Sequence, residues 1–221
     1  MLMAKDVIIS YIPHFKEALF LTLKIGWLGI LLSLIIGLVG ASLLHFKVKF
    51  LQKIVGIYIE IFRNTPLLIQ LFFIYFALPK VGIQITAEKC GVLGLGLLGG
   101  AYMIETFRSG LEAVTTIQTE SALSLGFSKA KTFRYIILPQ ALSMSIPGLV
   151  ANIIFLLKET SVFSTISLMD LMFTAKDLIG MYAKTTESLF LLVVFYLIML
   201  IPVSIIGAIV ERKVRYAGFG D

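Results

Sequence analysis

The stretch Gln118-Thr-Glu-Ser-Ala-Leu-Ser-Leu-Gly-Phe-Ser-Lys-Ala-Lys-Thr-Phe-Arg-Tyr-Ile-Ile-Leu-Pro-Gln140 decides how the chain is read. It mixes charged, small and apolar residues, and it lies between two segments apolar enough for a membrane. Glu120 to Leu125 holds good helix formers and no breaker. Gly126 suits the left-handed residue that ends a helix. Ser128 suits the next N-cap, its hydroxyl accepting from a free backbone N–H. The second helix is expected to run to Leu138 and to kink or restart at Pro139. A short, stiff helix on the water side of a membrane domain can receive a push from a partner.

The surroundings are those of an integral membrane protein. The 221 residues are 58% hydrophobic and 14% charged. The charged share is roughly half that of a soluble domain, and the mean hydropathy is +0.98. The net charge of +6 is explained by Lys and Arg held on the cytoplasmic side, so no nucleic acid is called for. A single cysteine, Cys90, excludes an intrachain disulfide and any cysteine-based metal cluster. His14 and His45 are far apart and give no ligand pattern, so no metal site is expected.

A spanning helix needs about 20 apolar residues, and five stretches qualify. The first is Ile25 to Leu44, with its helix expected to start near Phe15 or Ala18. Its Gly26, Gly29, Ser33, Gly37, Gly40 and Ala41 form a small-residue stripe that lets helices approach closely in lipid. The apolar run is too long for a signal peptide and lacks a small-x-small cleavage site. A basic link follows, with His45, Lys47, Lys49 and Lys53. The second span is expected from Ile54 to Leu78, and the third from Gly91 to Ser109. The fourth runs from Gln140 to Leu157, interrupted by Pro147. The fifth runs from Ser188 to Val210, with Pro202 inside it and a basic tail after it.

Between the last two spans, Leu168, Leu171, Met172, Ala175, Leu178, Ile179 and Tyr182 recur at helical spacing. They predict an amphipathic helix from Leu168 to Ala183, with Ser167 and Asp170 as a capping box. Glu60/Arg63 and Glu105/Arg108 each stand three residues apart, on one helix face. Both read as ion pairs that lower the cost of charge in a membrane helix. Glu159 ends the fourth span beside Lys158, Thr160 and Ser161. It reads equally as a site for a solute's amino group and as an interfacial pair with Lys158.

Glu120-Ser121-Ala122, then Gly126, then Ile136-x-Leu138-Pro139 resembles the EAA loop of permease subunits of ABC importers. Ser121 stands where that family has Ala, and Ile117 where it has Gly. Two more passages resemble the polar amino-acid branch of these permeases, the histidine and glutamine type. They are Glu60-x-x-Arg63-Asn64-Thr65-Pro66-Leu67-Leu68-Ile69-Gln70-Leu71 and Ala101-Tyr102-x-x-Glu105-x-x-Arg108-Ser109-Gly110. With Lys158-Glu159-Thr160-Ser161 the likeness covers most of residues 15–212, one permease domain. Residues 1–14 are then a short external segment and 213–221 a cytoplasmic tail.

The resemblance implies an all-α membrane protein of the type I importer fold with five transmembrane helices. It implies that Glu120, Ser121, Ala122, Leu125, Gly126, Ile136, Leu138 and Pro139 serve an ATPase docked on the loop. Lys158, Glu159, Thr160, Ser161, Asn152 and Gln70 are candidates for the solute path, although Asn152 sits one place later than the Asn usual in that branch. The implied partners are two ATPase subunits, a second permease of the same or a related kind, and an external solute-binding protein that delivers an amino acid. ATP and magnesium would sit on the ATPase, because this chain has no phosphate-binding G-x-x-x-x-G-K-[ST] loop. With the loop inside a bacterial inner membrane, five spans put the N-terminus outside and the C-terminus in the cytoplasm. Lys47, Lys49, Lys53, Arg108, Lys129, Lys131, Arg134, Arg212, Lys213 and Arg215 then lie inside. They outnumber the outer Lys5, Lys16, Lys80, Lys89, Lys158, Lys176 and Lys184, as the positive-inside bias requires. A scaffold or signalling subunit and an ion-coupled carrier are the other function classes open to such a chain.

Overall fold

The computed structural model describes residues 5–45 and 49–219, with side chains through Val214. Lys47 of the basic link, the side chain of Arg215, and the first four and last two residues lie outside the described residues. Every regular element among the described residues is helical: α1 (Lys5–His45), α2 (Lys49–Arg63), α3 (Leu67–Phe72), α4 (Ala87–Ala113), α5 (Thr116–Ser124), α6 (Lys129–Thr132), α7 (Leu138–Glu159), α8 (Leu171–Tyr182) and α9 (Thr185–Phe219), with wider or tighter turns between some of them. Four stretches are long and apolar enough to cross a membrane unbroken: Lys5–His45, Ala87–Ala113, Lys129–Ile166 and Thr185–Val214. A fifth candidate is the bent pair Lys49–Arg63 and Leu67–Val81.

α1 and α4 make the central seam. Gly26, Gly29, Ser33, Gly37, Gly40 and Ala41 are all buried, as the stripe predicts. α4 answers with its own glycines. A Cβ on Gly37 would overlap Met103, and one on Gly99 would overlap Ser33 Oγ. Ser33 Oγ bonds back to Gly29 O at 2.8 Å and across to Leu95 O at 3.2 Å. Lipid gives no hydrophobic drive between helices, so close packing and such bonds hold the seam. The main core surrounds it, with Ile25, Ile30, Leu95, Met103, Leu156 and Leu157 fully or almost fully buried. Lys24, inside the first span, extends to Glu88 at 2.8 Å.

The first helix starts ten residues earlier than expected, at Lys5. Its charged side chains Lys5, Asp6, Lys16 and Glu17 are exposed, while Tyr11, Phe15, Ala18 and Thr22 are buried. That buried stripe meets Leu171, Ala175 and Leu178 of α8 and Leu191 and Phe195 of α9 in a second, smaller core. From Lys5 on, the segment 1–14 thus forms the first turns of α1. At the other end, the tail continues α9 as helix to Phe219.

The second span is not straight. The chain turns by 101° between Arg63 and Leu67. Pro66 donates no backbone hydrogen bond and forces an extended residue before it. Three side chains splint the turn. Asn64 Nδ2 donates to Glu60 O, Thr65 Oγ1 to Ile61 O, and Gln70 Nε2 to both Phe62 O and Thr65 O. The carbonyls of Glu60, Ile61 and Phe62 at the end of α2 thereby gain side-chain donors.

At Pro139 the α-helix resumes, as the sequence predicts: α7 begins at Leu138 with the proline in its first turn. A π-turn at Phe133–Ile137 immediately precedes it, and this wider turn takes up the residue that cannot donate. Gln140 Nε2 donates to Ile136 O at 2.9 Å, feeding a carbonyl of the turn. The fourth span therefore runs from Lys129, well before the expected Gln140. α8 starts at Leu171 instead of Leu168. Ser167 is no cap for it: its φ is +57°, closing the preceding tight turn, and Asp170 is the N-cap.

Candidate functional site

α5 is a short helix with a well-made end. Its last residues form a Schellman closure: Phe127 N–H donates to Ala122 O at 3.1 Å, and Gly126 N–H to Leu123 O at 3.0 Å. Gly126 takes φ +84°. Ser128 Oγ accepts from Lys131 N–H at 3.4 Å and starts α6. Glu120, Ser121, Leu125 and Gly126 are exposed, whereas Ala122 is buried. α5 packs against the π-turn of residues 133–137. Ile136 and Leu138 are half-buried and Pro139 is exposed. Leu125 is 78% exposed and Ile117 is 68% exposed.

Behind α5 lies a cavity of about 890 Å³, lined from α2 by Gly56, Ile59 and Glu60, from α4 by Glu105, Arg108 and Glu112, and from α5 by Glu120. The charges along it are paired differently from the sequence expectation. Arg108 holds Glu105 at 2.8 Å, as the spacing predicts, and also Glu112 at 2.9 Å. Arg63 does not pair with Glu60. It reaches across to Glu105 on α4 at 3.5 Å and lies over the Tyr102 ring, 5.2 Å from its centre. Glu60 instead accepts from Asn64 Nδ2 at 2.9 Å. Arg63 is the last residue of its helix, so its long side chain is free to leave its own helix face.

The candidate solute-path residues fall into three places. Lys158, Glu159, Thr160 and Ser161 cluster where α7 tightens into the turn Thr160–Ile166. Thr160 is buried and donates to Leu157 O at 2.7 Å. Lys158 is exposed and Glu159 half-buried, and no ion pair joins them among the described residues. Asn152 lies two turns back and donates to Thr106 Oγ1 on α4 at 2.8 Å. Gln70 is committed to the bend described above.

Asp170 was visible in the sequence only as part of a capping box. It is fully buried, accepts from Phe173 N–H at 2.9 Å through Oδ1, and among the described residues has no hydrogen-bond partner for Oδ2. Burial pushes its carboxyl up from the ordinary 3.8 to about 7, against backbone N–H groups and Lys176 that pull down. The folded protein thus holds a proton between about pH 4 and pH 7 that the unfolded chain has released, and raising the pH through this window costs stability. Asn caps as well as Asp and carries no charge. The melting midpoint of Asp170→Asn in detergent, relative to the natural protein, should therefore rise as the pH goes from about 5 to about 8. A constant difference across that range would mean Asp170 is not protonated in the folded state.

Residues 29–216 match the family of binding-protein-dependent transport system inner membrane components. The chain belongs to this family. The permease is 34% identical over 210 residues to a probable amino-acid ABC transporter permease of Sinorhizobium fredii, covering 95% of this chain and 91% of that one. It is 33% identical over 208 residues to the arginine transport system permease ArtQ of Bacillus subtilis, covering 94% and 95%. Among solved structures, the crystal structure of an amino acid ABC transporter with histidines matches at a TM-score of 0.89 and 32% identity, over 96% of the permease and all of that chain. The MetNI methionine transporter in an inward-facing form shares the fold, with a TM-score of 0.69 and 19% identity.

Proposed function

We propose that this permease is the membrane subunit of an ATP-driven importer of amino acids, and that α5 is where an ATPase grips it. The carrying observation is the glycine-closed α5 with its exposed Ile117, Glu120 and Leu125, packed on the π-turn that leads into the fourth span. Relatives that match nearly end to end are named for amino-acid transport, which supports the solute class.

In this reading two ATPases bind ATP and magnesium and close together, drawing paired α5 helices with them. α5 rests on the π-turn, and the π-turn continues into α7, so the push travels as a rigid-body motion along the fourth span. The path between the paired permeases opens outward, receives the amino acid from an external binding protein, and reverses after hydrolysis. A second permease, of this or a related chain, completes the path, since paired subunits are the common solution. α5 lies in the cytoplasm of a bacterial inner membrane, the N-terminus is outside, and the C-terminus is inside. This chain itself makes no covalent change.

Glu159 is the residue best suited to the solute's amino group, because it ends an apolar span and, among the described residues, forms no ion pair within 4 Å. Glu159→Ala should raise the apparent KM for solute about tenfold or more, the loss of a hydrogen bond to a charged group being worth ~1.5–3 kcal/mol. Unchanged KM would leave Glu159 a plain interfacial residue. The reading as a whole is tested by uptake into proteoliposomes holding the purified complex. Uptake that requires ATP inside and binding protein outside supports it. Uptake that continues without ATP and stops when ion gradients are dissipated makes the protein a secondary carrier.

A further inference from the structure

We propose that Tyr196 is a positioning residue for the solute: its buried hydroxyl holds Thr160 in place and so aims the neighbouring Glu159 carboxylate at the solute's amino group. The proposal rests on the reading of Glu159 given above.

The direction of Glu159 is set where the chain changes pitch. α7 ends at Glu159, and the tight turn begins at Thr160. Further on, the turn is locked by Phe163 and Ile166, both fully buried in the main core. Between Leu157 and Phe163, Thr160 is the one buried residue, with Lys158 exposed and Glu159, Ser161 and Val162 half-buried. Thr160 therefore fixes the near end of the turn. Its methyl lies against α1, 3.4 Å from where a Cβ on Gly26 would stand. Its hydroxyl donates to Leu157 O at 2.7 Å. With that proton committed, Thr160 Oγ1 is left to accept.

Tyr196 of α9 is placed to supply the donor. It packs against both the main core and the smaller one, so its ring is held from two sides. Its Oη is shut off from solvent and, among the described residues, makes no hydrogen bond of full geometry. The side chains of Thr160 and Ser161 lie within its reach, while Asp170 acts on it through charge alone. A buried tyrosine hydroxyl takes a partner, because leaving it unpaired costs the desolvation of the group. Thr160 is the stiffer of the two acceptors, being β-branched, fully buried and already tied to Leu157. A bond from Tyr196 O–H to Thr160 Oγ1 completes a relay from α9 through the turn to α7. Glu159 stays off this relay, half-buried and, among the described residues, in no ion pair within 4 Å. Holding Thr160 thus orders Glu159 without neutralising it.

The test is equilibrium binding of radiolabelled amino acids, each of the standard set in turn, to the purified complex in detergent without binding protein. It is run on the natural chain, Tyr196→Phe, Thr160→Val and the double variant. Tyr196→Phe keeps the ring and loses only the hydroxyl. It should weaken binding of the preferred amino acid about threefold or more, the size expected from one lost hydrogen bond, with the yield of assembled complex and its ATP hydrolysis unchanged. Thr160→Val should weaken binding as well, and the double variant no more than the worse single one, since both remove the same bond. Losses that multiply in the double variant, or natural affinity in Tyr196→Phe, overturn the proposal and leave Tyr196 a packing residue. Should Tyr196→Phe fail to assemble, Thr160→Val decides alone by removing the accepting oxygen: weakened binding supports the relay, and natural affinity overturns it. If the natural complex binds no amino acid, or Glu159→Ala binds as tightly as the natural chain, the reading of Glu159 fails instead, and that shows before the Tyr196 variants are compared.

Discussion

Gly126→Val leaves the permease folded and inserted but cuts solute uptake per ATP hydrolysed about tenfold or more. Nothing stands within 4 Å of a Cβ placed on Gly126, so the valine is not crowded by neighbours. The damage is in the backbone. Gly126 holds φ +84°, a region in which a β-branched residue is a strong outlier. Left-handed geometry costs an ordinary residue roughly 1–2 kcal/mol, and each 1.4 kcal/mol is a factor of ten in an equilibrium. The chain relieves the strain by giving up the bonds from Phe127 to Ala122 and from Gly126 to Leu123. α5 then frays at the end that carries Leu125, while the membrane core some distance away is untouched. Gly126→Asn, a residue that tolerates this conformation, should retain most coupling. Equal loss in the two variants would show that the φ requirement is not the cause.

Gly99→Leu should prevent accumulation of folded permease altogether. A Cβ at this site overlaps Ser33 Oγ and comes within 2.6 Å of Leu156 Cδ1. Ser33 cannot step aside cheaply, since its hydroxyl bridges Gly29 O on α1 and Leu95 O on α4. Forcing groups into a well-packed core costs ~1–3 kcal/mol and occasionally more. Here a whole side chain enters the closest crossing of the two longest-packed helices, and the buried bonds of Ser33 are lost with it. The yield of monodisperse protein in mild detergent is the measure. Gly56→Leu is the control, because nothing lies within 4 Å of its Cβ. A normal yield from Gly99→Leu would mean that the α1–α4 seam is looser than the structure has it.

The helical character, the small-residue face of α1 and the glycine that ends α5 were all legible in the sequence, because each depends on neighbours within a turn or two. Gly26 to Ala41 repeat at helix spacing, and Gly126 stands alone between two good helix segments. What required the structure was partnership. Three-residue spacing pairs Glu105 with Arg108 correctly, yet it misassigns Arg63, whose partner is on another helix and cannot be seen from α2 alone. Lys5, Asp6, Lys16 and Glu17 interrupt the apolar run, so the start of α1 at Lys5 does not show in hydropathy. They lie on one face of a helix whose other face, at Tyr11, Phe15 and Ala18, is buried. Asn64-Thr65-Pro66 falls inside the expected second span, because a composition window averages it into the apolar residues around it. The bend and its glutamine splint follow only from the backbone path. For the solute path, Glu159 stands out as a charge at a span end, whereas the commitments of Asn152 and Gln70 to helix contacts do not show in residue type or spacing.

The central claim, that α5 is the grip of an ATPase, is tested most directly by purifying the permease from its native membrane in mild detergent and identifying what comes with it by mass spectrometry. A variant carrying Glu120→Arg and Gly126→Val is purified alongside. The account predicts that a protein with a phosphate-binding loop accompanies the natural chain and is lost from the variant, while any second permease remains with both. An ATPase retained equally by the two chains would place the grip elsewhere, and none with either would contradict the claim.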